Sequence, residues 1–230
     1  MYEILSTCLY ALLCVCMSFL FLRYYCHRAR YLSVFGVFLP FLSAFYFKHI
    51  AFIESEIIFT YSTFFASFVL ALLFVMAVID FYYFALPNAL LLVFILLCMV
   101  GKPISILQES HNLELAIFPL TQGFCIMGGM YLLKFILESV RKKPMLGEAD
   151  ILVLGGEGMT FGVEITLSII FLASLLAFAR FGLSAILYFV SKKQKPLSVK
   201  FPFVSYIFTA TIFSMICIPL GAFGGGDFNV

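Results

Sequence analysis

The chain has 230 residues, of which 64% are hydrophobic and 11% are charged, and its mean hydropathy is +1.13. A water-soluble domain of this length could not bury so much apolar surface, so the composition predicts a polytopic membrane protein. The formal net charge of +2 gives no support to nucleic-acid binding. We therefore expect an all-α transmembrane helix bundle of about eight membrane segments, with residues 1–230 forming a single integral membrane domain.

The first three apolar runs bring an aspartate to the membrane boundary. Residues 4–22 precede the basic segment 23–30, which is cytoplasmic by the positive-inside rule and places the N-terminus outside. A second span at 31–47 leads out, and a third at 57–79 returns inward. This order predicts that Asp80 lies at the cytoplasmic boundary.

The next two runs bring a second aspartate to the same side. A fourth span at 88–101 leads to a polar external loop at 102–114, and a fifth span at 115–138 returns inward. It ends in the basic segment 141–144, which leads directly to Asp150. Charge and parity alone therefore predict that Asp80 and Asp150 share one face of the membrane.

The C-terminal part is interpreted from the lysines between 192 and 200, which are expected to be cytoplasmic and so require an even number of crossings after Asp150. We predict a short helix at 151–161, a long helix at 163–190 and a final span at 201–221. Eleven residues rise only about 16 Å, less than the ~30 Å hydrocarbon core, so the short helix is expected to be shielded by neighbours or partly re-entrant.

Three glycines and two glutamates lie in and beside the short helix. We expect it to be broken near Gly155, Gly156 and Gly158, because glycine weakens helices. Glu157 and Glu164 are expected to meet external solvent at the outer end of the helix and its turn.

Six of the seven cysteines lie in apolar runs, and only Cys26 lies in a polar loop. No C-x-x-C pair occurs, and the spacing Cys14-Val15-Cys16 does not suit zinc. The sequence therefore predicts no disulfide framework and no structural metal.

Asp80 and Asp150 are the candidate catalytic residues. An ionisable side chain at a membrane boundary is costly and by default indicates function. Two carboxyls held within a few Å repel, so that one retains a proton while the other can accept a proton from water. This is the chemistry of an aspartic protease.

The motifs around both aspartates resemble those of the type IV prepilin peptidases, membrane aspartic proteases of the GxGD class. The first is Asp80 followed by Leu86-Pro87-Asn88, and the second is Gly147-x-x-Asp150 at the start of a helix. Phe201-Pro202-Phe203 is similar to the Pro-Phe element of that family. The resemblance implies that Asp80 and Asp150 are the catalytic pair.

The resemblance also implies the substrate and the cellular location. Members of the family cleave the basic leader from pilin-like or pseudopilin precursors, just after a glycine, at the cytoplasmic face of the bacterial inner membrane. The substrate helix would lie against the bundle in the lipid bilayer while its leader reaches the aspartates.

The chain departs from the family pattern in two ways. Ala149 occupies the third position of the GxGD motif, where a positive φ would penalise alanine. The insertion with two C-x-x-C pairs, which accompanies methyl transfer from S-adenosylmethionine in many relatives, is absent. We therefore expect cleavage without a cofactor and a product with a free N-terminal amine.

Several alternatives remain open at this stage. Glu148 and the adjacent Gly147 are candidates for binding the substrate leader, although a solvated boundary residue explains Glu148 equally well. Gly224-Gly225-Gly226-Asp227 matches GxGD literally, but only three residues follow Asp227, and parity places it on the opposite side from Asp80. The rival functions are a small proton- or cation-coupled transporter or secretion assembly component, and a catalytically inactive scaffold.

Overall fold

The computed structural model describes residues 2–26, 32, 35–36, 38–39, 41–44, 56–110, 113–142, 146–191 and 202–217. Within these ranges the chain forms helices and no strand, which confirms the predicted all-α class. Seven helices have continuous bounds there: α1 Tyr2–Tyr25, α2 Glu56–Tyr83, α3 Asn88–Ser110, α4 Leu113–Arg141, α5 Glu148–Phe161, α6 Val163–Ser191 and α7 Phe203–Cys217. Short helical pieces also occur between 35 and 44.

The described helices include four that are long and apolar enough to cross a membrane. These lie at Cys8–Tyr25, Phe64–Tyr83, Leu113–Arg141 and Val163–Ile186, and two shorter apolar helices cover Asn88–Ile104 and Phe203–Cys217. A polytopic membrane protein is thereby confirmed. The count of eight segments stays a prediction, because about half of the proposed span at 31–47 and all of the lysine-rich segment 192–200 lie outside the described residues.

Helix α2 is the central helix of the bundle. Buried residues make up 83% of Phe64–Tyr83, compared with 11% of the corresponding segments in α4 and in α6. α2 packs against α1, α3 and α7, and the rings of Phe74 and Phe208 lie 5.5 Å apart where it meets α7. Helices α4 and α6 therefore present most of their apolar surface outward, where lipid replaces protein as the contact.

The prediction that α5 breaks at its glycines is wrong. The helix is continuous from Glu148 to Phe161 and ends at Gly162, whose φ of 90° suits glycine. Close packing explains the other glycines: a Cβ on Gly158 would lie 3.1 Å from the Cα of Gly123. The glycines allow α4 and α5 to approach closely, and this packing offsets their low helix propensity.

The predicted bounds of the fourth span and of the loop after it also need correction. Helix α3 continues through Pro103 to Ser110, where the sequence predicted an external loop from residue 102. Polar side chains do not end a helix by themselves, and Lys, Gln and Glu favour helices. Gly101 fits closely against Phe65 of α2, since a Cβ there would lie 1.9 Å from the ring.

Candidate active site

Asp80 lies in the last turn of α2, inside the helix and not beyond its end as predicted. The helix runs on to Tyr83, and Phe84 then adopts a left-handed conformation with φ 53°. The N–H of Phe84 donates to the carbonyl oxygen of Asp80 at 2.8 Å, which closes the helix end. The side chain of Asp80 is only 7% exposed.

The first turn of α7 holds the carboxylate of Asp80. The backbone N–H of Val204 donates to Asp80 Oδ2 at 3.0 Å, and the backbone of Ser205 also hydrogen-bonds to this carboxylate. A helix N-terminus stabilises negative charge, because its first N–H groups have no partner within the helix. Ser205 Oγ donates to the carbonyl oxygen of Ala77 at 2.7 Å, which attaches the same turn to α2.

Asp150 lies in the first turn of α5 and helps to cap the N-terminus of that helix. Gly147 is the N-cap, with an extended backbone of φ −69° and ψ 138°. The carboxylate of Asp150 folds back and accepts a hydrogen bond from the backbone of Gly147, as in the second half of a capping box. A Cβ on Gly147 would lie 2.6 Å from Asp150 Oδ2, so the side chain occupies the space that glycine leaves.

The two aspartates lie near enough to interact electrostatically. Burial raises the pKa of Asp150 to about 7, the negative charge of Asp80 acts in the same direction, and the hydrogen bond from Gly147 acts against them. Asp150 is outside the four helices long enough to cross a membrane. The fold thus brings together the two residues that the sequence predicted as a pair.

The expected penalty at Ala149 does not arise. Among the described residues, a positive φ outside glycine occurs at Phe84 and Lys142, and Ala149 is already helical. Alanine is a good helix former, so it replaces glycine at this position without strain. Its side chain is half-buried against the core.

Glu148, predicted to contact a basic leader, lies on the surface beside Asp150. Its side chain is 74% exposed, and Oε1 accepts a hydrogen bond from Lys134 Nζ of α4 at 3.1 Å. An exposed ion pair of this kind contributes little to stability. Glu148 is therefore accessible to a cationic ligand that competes with Lys134, whereas Gly147 is placed to make room for Asp150.

The predicted exposure of Glu157 is wrong. Its side chain is fully buried within the bundle, because α5 lies between neighbouring helices along this stretch. The rival Asp227 lies outside the described residues. Within the described part of the chain, no group of three or more His, Cys, Asp or Glu side chains is placed to hold a metal ion.

A comparison with known families found a match to this chain. The model of the type IV leader peptidase family matches residues 67–183, just over half of the chain. The chain belongs to the type IV leader peptidase family. This membership confirms the resemblance inferred from the motifs and implies a peptidase. No curated protein and no solved structure matches the chain.

Both aspartates of this leader peptidase lie in the matched segment. Helix α7, whose backbone N–H groups donate to the carboxylate of Asp80, lies beyond it. Val204 and Ser205 belong to α7, beyond residue 183. Sequence reasoning did not identify them as site residues, since neither carries an ionisable group. The available signal was Pro202, which directly precedes the helix whose first N–H groups reach Asp80.

Proposed function

We propose that the protein is a membrane-embedded aspartic endopeptidase that cleaves the basic leader from prepilin-like or pseudopilin precursors at the cytoplasmic face of the bacterial inner membrane. The supporting observation is the electrostatic interaction between the buried carboxyl of Asp80 and the half-buried carboxyl of Asp150, each held at a helix N-terminus. Two aspartates that share a site and differ in protonation are the requirement for activating water against a peptide bond. No cofactor takes part in this reaction, and S-adenosylmethionine would be needed only for a separate methyl transfer.

The hydrogen bonds suggest a division of roles within the pair. Burial disfavours the charged form of both carboxyls, but Asp80 accepts two N–H groups from α7 that act against this effect, so we assign it as the base that takes a proton from water. The raised pKa of Asp150 suits an acid that donates its proton as the peptide bond breaks. In this assignment Asp80 begins the reaction charged and Asp150 begins it protonated.

Substrate recognition is assigned to the surface beside the pair. Glu148 is exposed and negatively charged, and it lies in the same first turn of α5 as Asp150. A lysine or arginine of the leader would compete with Lys134 for this carboxylate. The apolar helix of the precursor would stay in the bilayer against the bundle.

The test is cleavage of a precursor by inside-out and right-side-out vesicles that contain the protein, with the products identified by mass spectrometry. We expect a single cut after the glycine before the apolar helix, only in inside-out vesicles. Replacement of the basic leader residues by Gln should lower the rate of cleavage. Equal cleavage from both sides would contradict the proposed orientation, and no cleavage of any precursor would contradict the proposed function.

We expect the rate to fall as pH rises through about 7. The acid role requires Asp150 to be protonated, and its raised pKa places the loss of that proton near pH 7. Above this pH the protonated fraction falls about tenfold per unit, and kcat/KM should fall with it. The measurement is a pH–rate profile in proteoliposomes, with enzyme recovery checked after each incubation. A rate that rises steadily from pH 7 to 9 would contradict the assigned roles.

A further inference from the structure

Glu157 is a buried carboxyl that the proposed reaction does not use. It lies in α5, its side chain is completely inaccessible, and Oε1 lies 3.4 Å from Thr211 Oγ1 of α7. Oε2 is also buried and has no hydrogen-bond partner among the described residues. An unpaired oxygen in such a place is costly, so it requires an explanation.

A second unpaired oxygen lies on α7. Ser214 Oγ is buried and, like Glu157 Oε2, has no partner in the described part of the chain. Ser214 follows Thr211 by three residues, which places both hydroxyls on the same face of the helix. Glu157 contacts Thr211 on that face. Ser214 thus lies beside the threonine that Glu157 contacts, and each of these two neighbouring places carries an oxygen that lacks a partner.

The hydroxyl of Thr211 indicates which group carries the proton. Its oxygen lies 2.9 Å from the carbonyl oxygen of Ile207 and 3.4 Å from Glu157 Oε1. A hydroxyl has one hydrogen to donate, and the shorter contact is to a carbonyl that can only accept. Glu157 Oε1 and Thr211 Oγ1 can then form a hydrogen bond if the carboxyl of Glu157 is protonated and donates to the threonine oxygen.

The surroundings also favour a neutral Glu157. Burial favours the neutral form of this carboxyl and is the larger influence, the hydroxyl of Thr211 acts in the opposite direction, and neither supplies positive charge. The titratable neighbour from α3 is Cys98, which hydrogen-bonds with Thr160 of α5 and, as a thiol, supplies no positive charge to Glu157. An ionised carboxyl without a cation is far more costly to bury than a neutral one.

We propose that Glu157, Thr211 and Ser214 form a buried water-binding site, in which Glu157 is a neutral acid and one water molecule joins Glu157 Oε2 to Ser214 Oγ. Water suits this position because it can donate to one oxygen and accept from the other, and buried waters typically serve polar groups that lack protein partners. A sodium ion fits less well. It would need several oxygens, but α5 and α7 are continuous helices whose carbonyls are already used.

The site connects the helices that position the two aspartates. Glu157 follows Asp150 by seven residues, and Thr211 follows Val204 by seven, so both contacts lie two turns further along, about 10 Å from the aspartate pair. The hydrated site is thus a second connection between α5 and α7. We assign Glu157 as a positioning residue, and this part of the inference depends on the proposed function.

Infrared spectroscopy of the full chain in lipid tests the site without reference to activity. The difference between wild type and Glu157→Gln should show the band of a protonated carboxyl, with no carboxylate band, from pH 5 to 7. A water O–H band that shifts in H₂¹⁸O should disappear in Ser214→Ala. A carboxylate band, or a spectrum that depends on sodium, would overturn the neutral acid. Absence of a water band sensitive to ¹⁸O would overturn the water site.

Precursor cleavage tests the positioning role. Glu157→Gln is neutral and keeps a donor and an acceptor, so we expect kcat within about threefold of wild type and an unchanged pH profile. Glu157→Leu and Thr211→Val should lower kcat about tenfold with little change in KM. A Glu157→Gln variant as inactive as the aspartate variants would overturn the positioning role, as would a fully active Glu157→Leu. If wild type cleaves no precursor, the proposed function fails while the infrared result still decides the water site.

Discussion

Asp80→Asn and Asp150→Asn should each lower the rate of precursor cleavage by about 10³-fold or more, while the protein still inserts and accumulates. Each change removes one titrating group with little change in volume, and positioned acids and bases contribute about 10²–10⁴-fold each. Asparagine at position 80 can still accept the N–H of Val204, so the contact between α2 and α7 is retained. The measurement is the mobility shift of a co-expressed precursor, with enzyme levels determined in the same membranes.

The matched control is Asp227→Asn, which alters the literal G-x-G-D sequence near the C-terminus. Cleavage should be unchanged in this variant. Normal processing by either Asp80→Asn or Asp150→Asn would show that the pair is not catalytic. Loss of processing in Asp227→Asn would mean that the wrong aspartate was assigned to the motif.

Gly147→Ala should lower kcat about 10²-fold with little loss of stability. The new Cβ would lie 2.6 Å from Asp150 Oδ2, so the carboxylate must move. The end of a side chain moves at small cost in folding, but a displacement of about 1 Å at a reacting group can cost about 10²-fold in rate. The backbone at residue 147 is extended and accepts alanine, so the effect arises from space alone. Steady-state cleavage and thermal unfolding of the same preparation would separate the two quantities.

Gly128→Ala is the control for this prediction. Gly128 lies in α4, and a Cβ there would meet nothing within 4 Å. Alanine in a helix is also more favourable than glycine, so stability should be equal or slightly higher. Unchanged kcat in Gly147→Ala would contradict the tight placement of Asp150, whereas equal loss in both variants would indicate a general effect of the substitution.

The sequence predicted the helices and the aspartate pair because both depend on strong local signals. Apolar runs are unambiguous, and a carboxyl at their boundary is rare enough to identify. The helix start before Asp150 was placed within a few residues, and the long helix after Gly162 was placed almost to the residue. The family match then confirmed the resemblance drawn from the two motifs.

The errors arose where packing outweighs local preference. Glycines 155, 156 and 158 predicted a break, but close contact with α3 and α4 keeps the helix continuous. Glu157 was assigned to solvent because a charge near a predicted helix end usually is solvated. No local pattern reveals that α7 covers it. The contact between Asp80 and Val204 spans 124 residues, a separation that no local pattern encodes.

The enclosure of α2 has a consequence for how the protein is made. A helix that protein covers on nearly every side has little need of a lipid-compatible surface once the fold is complete, yet Phe64–Tyr83 is the most hydrophobic of the four candidate spans, with a mean hydropathy of 2.5. Membrane helices insert first and associate afterwards, so each must be stable alone in lipid for a time. The apolar surface of α2 therefore allows the helix to insert into lipid by itself. The neighbouring helices replace this lipid later, when they pack around α2.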